Sequence, residues 1–256
     1  MDERRPVGRW LGFATPALLL AMLEAAVRSG RIDAALVPAP STVALRLAQM
    51  LASGELASPL AQTLALLAAA FALACLLGVA LGLAMGRDAF VHGLFEPIVE
   101  LLRPLPKPAL LAPLMLLFGP GAAMKLAIVA LAVFFPVLVN TVQGARGVEP
   151  LLLDVARTFG HGRLRTLWRV VLPAALPSIV AGMRIGLGLG LVLVVFAEML
   201  GGAGGIGALL VDLQRTFRVA EMYACVVLLA TLGYALNALA QVAERRAARW
   251  AFDPPG

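Results

Sequence analysis

Six long apolar segments take up most of the chain and limit the folds that it can adopt. A transmembrane α-helix needs about 20 consecutive, mainly apolar residues. The segments that come near this length or exceed it are residues 10–27, 60–85, 97–118, 122–141, 174–200 and 222–240. This pattern predicts an all-α integral membrane protein with about six transmembrane helices.

The composition also favours lipid over water as the surroundings. Of the 256 residues, 61% are hydrophobic and 14% are charged, whereas soluble domains carry about a quarter charged residues. The net charge of +6 does not indicate nucleic-acid binding, because the basic residues fall between the apolar segments instead of clustering on a polar surface. We expect the lipid bilayer as a partner and no nucleic acid.

The apolar segments differ in regularity. Glu24 interrupts the first, and three prolines break the first half of the third. Between the first two segments, Ser41 is a candidate N-cap for a short amphipathic helix, which we expect to lie in the membrane interface. Glycines repeat every four residues at 78–86 and at 182–190, which predicts close helix contacts, either within one subunit or across a dimer.

The placement of arginines predicts the orientation in the membrane. With the N-terminus inside, six spans also bring the C-terminus inside, and the inner side then carries the larger share of arginines. These inner arginines are Arg4, Arg5, Arg9, Arg87, Arg146, Arg157, Arg163, Arg165, Arg169, Arg245, Arg246 and Arg249. We expect one domain, 1–256, with a cytoplasmic tail at 1–9, a core at 60–242 and a cytoplasmic tail at 243–256.

The longest polar connection, residues 143–172, lies on the cytoplasmic side in this topology. Its pattern predicts two short amphipathic helices. The apolar stripe of the first holds Leu152, Ala156 and Phe159, and that of the second holds Leu164, Leu167, Trp168 and Val171. Gly160 can adopt the left-handed conformation that ends a helix, and Pro173 is predicted to stop the second helix. A connection this long in a compact protein is usually functional or disordered, and the helical pattern with few disorder-promoting residues favours function.

The same connection carries a recognisable pattern. Residues Asp154, Val155, Ala156, Gly160, Val170, Leu172 and Pro173 resemble the "EAA" signature of binding-protein-dependent ABC importer permeases. Asp154 and Val155 depart from the signature, which has Glu and Ala there, while the spacing from Gly160 to Pro173 is kept. The segments 36–41, 102–106, 134–141 and 197–201 resemble the nitrate, sulfonate and taurine branch. Together the resemblance covers residues from about 36 to 250.

The resemblance implies a type I ABC importer permease fold in a bacterial inner membrane. Residues 143–172 would form a coupling loop that docks on a cytoplasmic ABC ATPase subunit, which itself binds ATP and Mg²⁺; the alternative is that the loop lies on the membrane surface. A periplasmic or lipid-anchored substrate-binding protein and a second permease copy, in a homodimer, are the other implied partners. The implied ATPase-coupling residues are Asp154, Ala156, Phe159, Gly160, Leu172 and Pro173.

The sequence has no sign of catalysis. A phosphate-binding loop needs a lysine directly after its glycines. The chain has only Lys107 and Lys125, neither in such a setting, and the glycine-rich stretch 201–207 contains no lysine. His92 and His161 have no metal-ligand spacing around them. We expect no catalytic residue, no metal site and no cofactor in this chain.

Polar residues inside the apolar segments are candidates for the translocation path, because a charge at mid-membrane costs roughly 2.5 to 3.5 kcal/mol on insertion scales. These candidates are Arg184, Asn140, Thr141, Glu198, Arg103 and Lys107. A structural role is the alternative, in which the cations reach the interface or form ion pairs and the neutral residues form interhelical hydrogen bonds. The expected ion-pair partners are Glu96, Glu100 and Glu198.

By this resemblance, the chain is expected to be a permease for a small solute, an anion such as nitrate, a sulfonate or taurine. An ABC permease for a heterocyclic vitamin precursor is one alternative. A secondary transporter driven by an ion gradient is another, for which paired interrupted helices would be expected. An intramembrane enzyme would need a nucleophile–base pair or a metal cluster.

Overall fold

The computed structural model describes residues 7–202 and 204–247, with side chains from 14 to 202 and from 204 to 246. These residues form helices, and no strand occurs among them. In chain order the helices are α1 (Val7–Arg28), α2 (Pro40–Ala52), α3 (Ala57–Arg87), α4 (Ala89–Leu102), α5 (Leu111–Phe118), α6 (Ala122–Arg146), α7 (Pro150–Thr158), α8 (Arg163–Thr166), α9 (Leu172–Gly201), α10 (Ile206–Arg215) and α11 (Val219–Ala247). Residues 1–6 and 248–256, which hold most of the two predicted tails, lie outside the described residues.

Four helices among the described residues are long and apolar enough to cross a membrane. They are Ala57–Arg87, Ala122–Arg146, Arg163–Gly201 and Val219–Arg246, and they contain the predicted segments 60–85, 122–141, 174–200 and 222–240. The prediction of these four spans is confirmed. The segment 10–27 lies in α1, whose side chains are described only from Ala14 onward, so its crossing of the membrane stays a prediction.

The third predicted segment, 97–118, is not a single helix. α4 begins earlier, because the side chain of Asp88 accepts hydrogen bonds from two backbone N–H groups at 2.9 and 3.2 Å and caps it. After α4 the chain bends by 94° into Lys107–Phe118, and the pair is apolar enough to be one broken span. Pro104 and Pro106 lie in this break, where they lack the N–H that a continuous helix needs.

Helix α6 packs against both α3 and α9, and glycines make the close approach possible. On α3, Gly78, Gly82 and Gly86 face Val137, Thr141 and Ala145 of α6, and on α9, Gly182, Gly186 and Gly190 face Asn140 and Val133. A Cβ atom on Gly82 would lie 2.6 Å from the Cβ atom of Thr141. Both glycine series therefore serve contacts within one subunit, the first of the two possibilities that the sequence left open.

Helices α2 and α10, which we call the far-end cap, lie at the end of the bundle opposite residues 143–172. Val43 and Met50 of α2 are buried against Leu210 and Leu213 of α10 and against Cys225 of α11. The extent of the predicted amphipathic helix is confirmed. Part of its apolar surface packs on protein, while Leu45 and Leu51 are 58% and 53% exposed, so its place in the membrane interface stays a prediction.

A carboxylate ties α1 to α2. Glu24 accepts hydrogen bonds from the backbone N–H and the hydroxyl of Ser41, at 3.0 and 2.6 Å, and from Arg28 at 2.6 Å. The prediction that Ser41 caps α2 is therefore wrong, since no side chain caps this helix and its hydroxyl is used by Glu24. The acidic residue that interrupts the first apolar segment thus has a structural partner.

Candidate functional site

The coupling loop, residues 143–172, contains α7, a tight turn and α8. Gly160 has φ +70°, the left-handed conformation that favours glycine. The N–H of Gly160 donates to the carbonyl of Arg157 at 2.9 Å, and the N–H of His161 donates to that of Ala156 at 3.0 Å. These paired bonds are a Schellman motif, so Gly160 ends the first helix as predicted.

The apolar side chains of the coupling loop divide between the bundle and the exterior. Phe159, Leu164 and Trp168 are 77%, 70% and 62% exposed. Ala156 and Val171 are buried, and Val171 packs with the end of α3 and of α6. The two predicted stripes are therefore each split, which corrects the expectation that Ala156 shares a face with Phe159.

Pro173 does not stop the second helix, contrary to the prediction. Residues Leu167–Val171 form a π-helical turn, in which the N–H of Leu172 donates to the carbonyl of Leu167. The result is a continuous helix, Arg163–Gly201, of 39 residues. The wider turn lets the helix accommodate Pro173, whose ring would clash with a carbonyl in a regular α-helix. The coupling loop is thus continuous with a membrane span.

Basic residues line a cavity at the loop, and Asp154 is paired with one of them. The cavity measures about 580 Å³ and is lined in part by Arg87, Arg157, His161 and Arg163. Asp154 and Arg157 form an ion pair of 3.1 Å, but both side chains are more than half exposed, so the pair contributes little to stability. The basic character predicted for this loop is retained at its surface.

Three of the six path candidates meet in a second cavity. It measures about 470 Å³ and lies between the α4–α5 break, α6 and α9. Its polar lining consists of Arg103, Lys107 and Asn140, and its apolar walls include Ile185 and Leu189. The structure therefore brings together in one cavity three residues that the sequence indicated only as separate candidates.

Lys107 has partners within the break itself. Its ammonium group donates to the carbonyl oxygens of Leu102 at 3.2 Å and Leu105 at 3.0 Å, and also to that of Arg103. It also lies 4.7 Å from the centre of the Phe135 ring. A cation at the C-terminal end of α4 is favoured by the helix dipole, so Lys107 stabilises the bend as well as lining the cavity.

Arg184 lies outside this cavity. Its guanidinium donates to Glu244 at 3.2 Å and to Asn237 at 3.1 Å, which ties α9 to α11. The expected partners did not include Glu244, which lies in the predicted cytoplasmic tail, 243–256. The first residues of that segment continue α11, which extends to Ala247, and its cytoplasmic location stays a prediction.

Thr141 and Glu198 are buried away from the cavity as well. Thr141 is 0% exposed and donates to the carbonyl of Val137 in its own helix, which is a structural role but not the interhelical hydrogen bond expected as the alternative. Glu198 is 1% exposed and is bound by Thr63 at 2.9 and 3.0 Å. Thr63 was missed by the sequence reasoning, since a single hydroxyl in an apolar run carries no distinguishing pattern.

No cluster of three or more His, Cys, Asp or Glu side chains that could hold a metal ion occurs in the described part of the chain. His92 faces Glu96 at 2.9 Å, and His161 lies at the first cavity. The charged side chains that line the two cavities are mainly arginine and lysine. Such groups suit anions or acidic partners better than metal ions.

A sequence comparison decides the family. The profile of binding-protein-dependent transport system inner membrane components matches residues 74–249. The matched region contains the α4–α5 break, the coupling loop and the long helix that continues from it. The chain belongs to this family.

Two relatives match the permease over nearly its full length. It is 30% identical over 247 residues to a putative aliphatic sulfonates transport permease protein of Bacillus subtilis (strain 168), covering 96% of this chain and 90% of that protein. It is 34% identical over 236 residues to the riboflavin transport system permease protein of Chloroflexus aurantiacus (strain ATCC 29366 / DSM 635 / J-10-fl), covering 92% and 88%.

The fold is that of a solved ABC importer chain. The permease superposes with a TM-score of 0.64 on a chain of the MetNI methionine ABC transporter in inward-facing conformations, at 19% identity, covering 72% of this chain and 92% of that one. Family and fold together identify a multi-pass inner-membrane permease of the ABC importer type. They favour this function over a transporter driven by an ion gradient.

Proposed function

We propose that the coupling loop of the permease docks on a separate cytoplasmic ABC ATPase, whose ATP hydrolysis drives solute import. The observation that carries this proposal is the exposure of Phe159, Leu164 and Trp168 on two adjacent helices. Large exposed apolar side chains mark interaction sites, and an amphipathic helix docks by burying them in a partner's groove. ATP and Mg²⁺ then belong to the ATPase subunit, and this chain carries no catalysis.

The six proposed coupling residues have different tasks. Phe159 contacts the ATPase, and Gly160 sets the turn that presents it. Ala156 and Leu172 hold the loop to the bundle, while Pro173 follows the π-helical turn that joins the loop to α9. Asp154 is exposed and paired with Arg157.

We place both termini in the cytoplasm and the far-end cap on the periplasmic side, where a periplasmic or lipid-anchored substrate-binding protein would dock. A homodimer is supported by the cavity that holds Arg103, Lys107 and Asn140. Its wall residues Ile185 and Leu189 are 54% and 45% exposed, so the cavity opens to the side of the bundle. A second copy facing this opening would close the path between two subunits.

For the substrate we propose a small anion such as a sulfonate, taurine or nitrate. Arg103 supplies a charged donor, Asn140 a neutral one, and the apolar walls suit an aliphatic tail. The relative named for aliphatic sulfonates supports this class, and the relative named for riboflavin supports the heterocyclic alternative. Uptake of a labelled alkanesulfonate, competed with nitrate, taurine or riboflavin, separates the two classes.

Co-purification tests the coupling proposal. When the solubilised permease is isolated from its native membranes, an ABC ATPase should accompany it. Phe159→Asp combined with Trp168→Asp should remove that ATPase, because charges replace the apolar contact. Phe217→Asp is the matched control, since Phe217 is 86% exposed and lies beside the far-end cap. Equal ATPase recovery with the unmodified permease, the double variant and the control variant would contradict docking at the loop.

A charge exchange tests the role of Arg184, which we assign to the ion pair with Glu244. Arg184→Glu should lower the initial uptake rate by more than about tenfold, because two carboxylates then face each other. Adding Glu244→Arg should restore most of the rate, since the pair is remade in reverse. An exchange variant that assembles normally but transports no anion would instead place Arg184 on the path.

A further inference from the structure

Three buried polar side chains meet where α9 ends. Glu198 of α9 accepts hydrogen bonds from the hydroxyl of Thr63 at 2.9 and 3.0 Å and from the N–H of Gly207 at 2.9 Å. The Thr63 oxygen in turn accepts from the N–H of Ile206 at 2.9 Å. One carboxylate and one hydroxyl thus hold the first residues of α10 to α3 and α9.

Lys125 of α6 also binds the connection between α9 and α10, from another side. It is 4% exposed, and its ammonium group donates to the carbonyls of Gly202 and, at 3.5 Å, of Gly204. Among the described residues, the buried polar or charged side chains are Thr63, Lys125, Thr141 and Glu198. All but Thr141 belong to this cluster, although the α9–α10 connection could have been made by apolar contacts alone.

The connection leaves no space for a side chain at Gly205 or at Gly207. Gly205 has φ +93°, and a Cβ atom there would lie 2.1 Å from the carboxyl carbon of Glu198. A Cβ atom on Gly207 would lie 2.3 Å from the carbonyl oxygen of Val195. The backbone at Gly205 and Gly207 therefore lies directly against Glu198, and it cannot shift relative to α9 without breaking the cluster.

The cluster also lies at one end of the longest helix in the described chain. Arg163–Gly201 has 39 residues, which corresponds to roughly 60 Å at 1.5 Å per residue. Its other end is the coupling loop. Beyond the cluster, α10 packs on α2 through Leu210 and Leu213, so the cluster attaches the far-end cap to this helix together with the apolar contact of Val195.

We propose that Thr63, Lys125 and Glu198 form a clamp that makes the far-end cap and the coupling loop move as one body. Binding-protein engagement at the cap is thereby passed along the helix to the ATPase. The three are positioning residues, since none of them lies at the cavity or on the docking surface. The proposal rests on the proposed function, because it needs an ATPase at the loop and a binding protein at the cap.

Buried charged groups suit this task. Removing a partner of a buried charge leaves that charge uncompensated and is strongly destabilising, whereas exposed ion pairs contribute little. The cap also has a partly exposed pair, Arg46 with Glu221 at 3.9 Å. Of these polar contacts, only those of the clamp are buried, so we expect their loss to loosen the cap on the helix more than loss of the Arg46–Glu221 pair would.

The test uses the complete importer in lipid nanodiscs, with its ATPase and binding protein. Thr63→Val, Lys125→Met and Glu198→Gln should each keep the ATPase bound and retain most of the basal ATP hydrolysis. Each should lose stimulation by the substrate-loaded binding protein by about tenfold. Thr141→Val is the matched control, because Thr141 is buried but lies outside the cluster, and it should leave both rates unchanged.

Thiol labelling provides a second readout. The chain has two cysteines, so in a Cys75→Ala background Cys225 is the single thiol, and it is buried against the far-end cap. The clamp variants should raise its labelling rate by about tenfold or more, since a released cap opens more often. Thr141→Val should not change it.

The outcomes of these two experiments distinguish failure of the clamp from failure of the proposed function. Unchanged stimulation and unchanged Cys225 labelling in all three variants would overturn the clamp. Parallel loss of assembly, basal hydrolysis and stimulation in all three would overturn it as well, because the residues would then serve folding only. If the unmodified permease neither binds an ATPase nor responds to a binding protein, the proposed function itself fails.

Discussion

Replacing Gly160 with valine is expected to lower ATP-driven uptake by more than tenfold while the chain still inserts into the membrane. Gly160 has φ +70°, a conformation that costs L-residues roughly 1–2 kcal/mol and β-branched residues more. Valine would force the turn to open, and Phe159 would leave its position beside the second loop helix. The expected defect is in coupling, since Gly160 has no neighbour within 4 Å of an added Cβ atom.

Two variants control for size and for position. Gly160→Asn should keep most of the uptake, because asparagine tolerates the left-handed conformation. Gly162→Val should also be tolerated, as Gly162 has φ −68° and no neighbour within 4 Å. Uptake, membrane insertion and ATPase co-purification are measured for all three. Full uptake by Gly160→Val would show that the turn geometry is not needed for coupling.

Replacing Gly182 with leucine is expected to prevent recovery of folded permease. A Cβ atom at this position would lie 2.8 Å from the carbonyl oxygen of Pro136 and 2.7 Å from the Cβ atom of Asn140. The backbone carbonyl cannot rotate away, so α6 and α9 must separate. Overpacking of this kind costs about 1–3 kcal/mol for small insertions, a large share of a net stability of about 5–15 kcal/mol.

Gly188 is the matched control on the same helix, because nothing lies within 4 Å of an added Cβ atom there. Gly188→Leu should be recovered in normal yield, and Gly182→Ala should show a lower melting temperature. The yield of monodisperse protein after solubilisation and the melting temperature in detergent check both expectations. Equal behaviour of the leucine variants at 182 and 188 would show that the α6–α9 contact adapts.

The spanning helices could be predicted because their signal is local. A run of apolar residues must form a helix in lipid to satisfy its own backbone groups, so hydropathy alone located Ala122–Arg146 and Val219–Arg246. The α4–α5 break was harder to interpret. Prolines indicated a distortion in the right place, but they do not determine how far a chain turns, and the cap formed by Asp88 moved the helix start outside the predicted segment.

The side-chain partners could not be predicted, because they depend on tertiary packing. Thr63 and Glu198 are separated by 135 positions, and Arg184 and Glu244 by 60. Amphipathic spacing in the coupling loop showed which residues were apolar, but it did not show which of them face the bundle. Pro173 was predicted to stop the second helix, by the usual rule for prolines inside helices. The rule failed because a π-helical turn accommodates the proline ring.

The bonds of Lys125 bear on how the chain is made. Gly202, which receives one of these bonds, lies 77 positions further along the chain. Until that part has been synthesised, Lys125 cannot form the bonds to Gly202 and Gly204 that it has in the folded chain. We therefore expect α6 to reach its final position only after the ribosome has delivered α9 and the loop between the two helices.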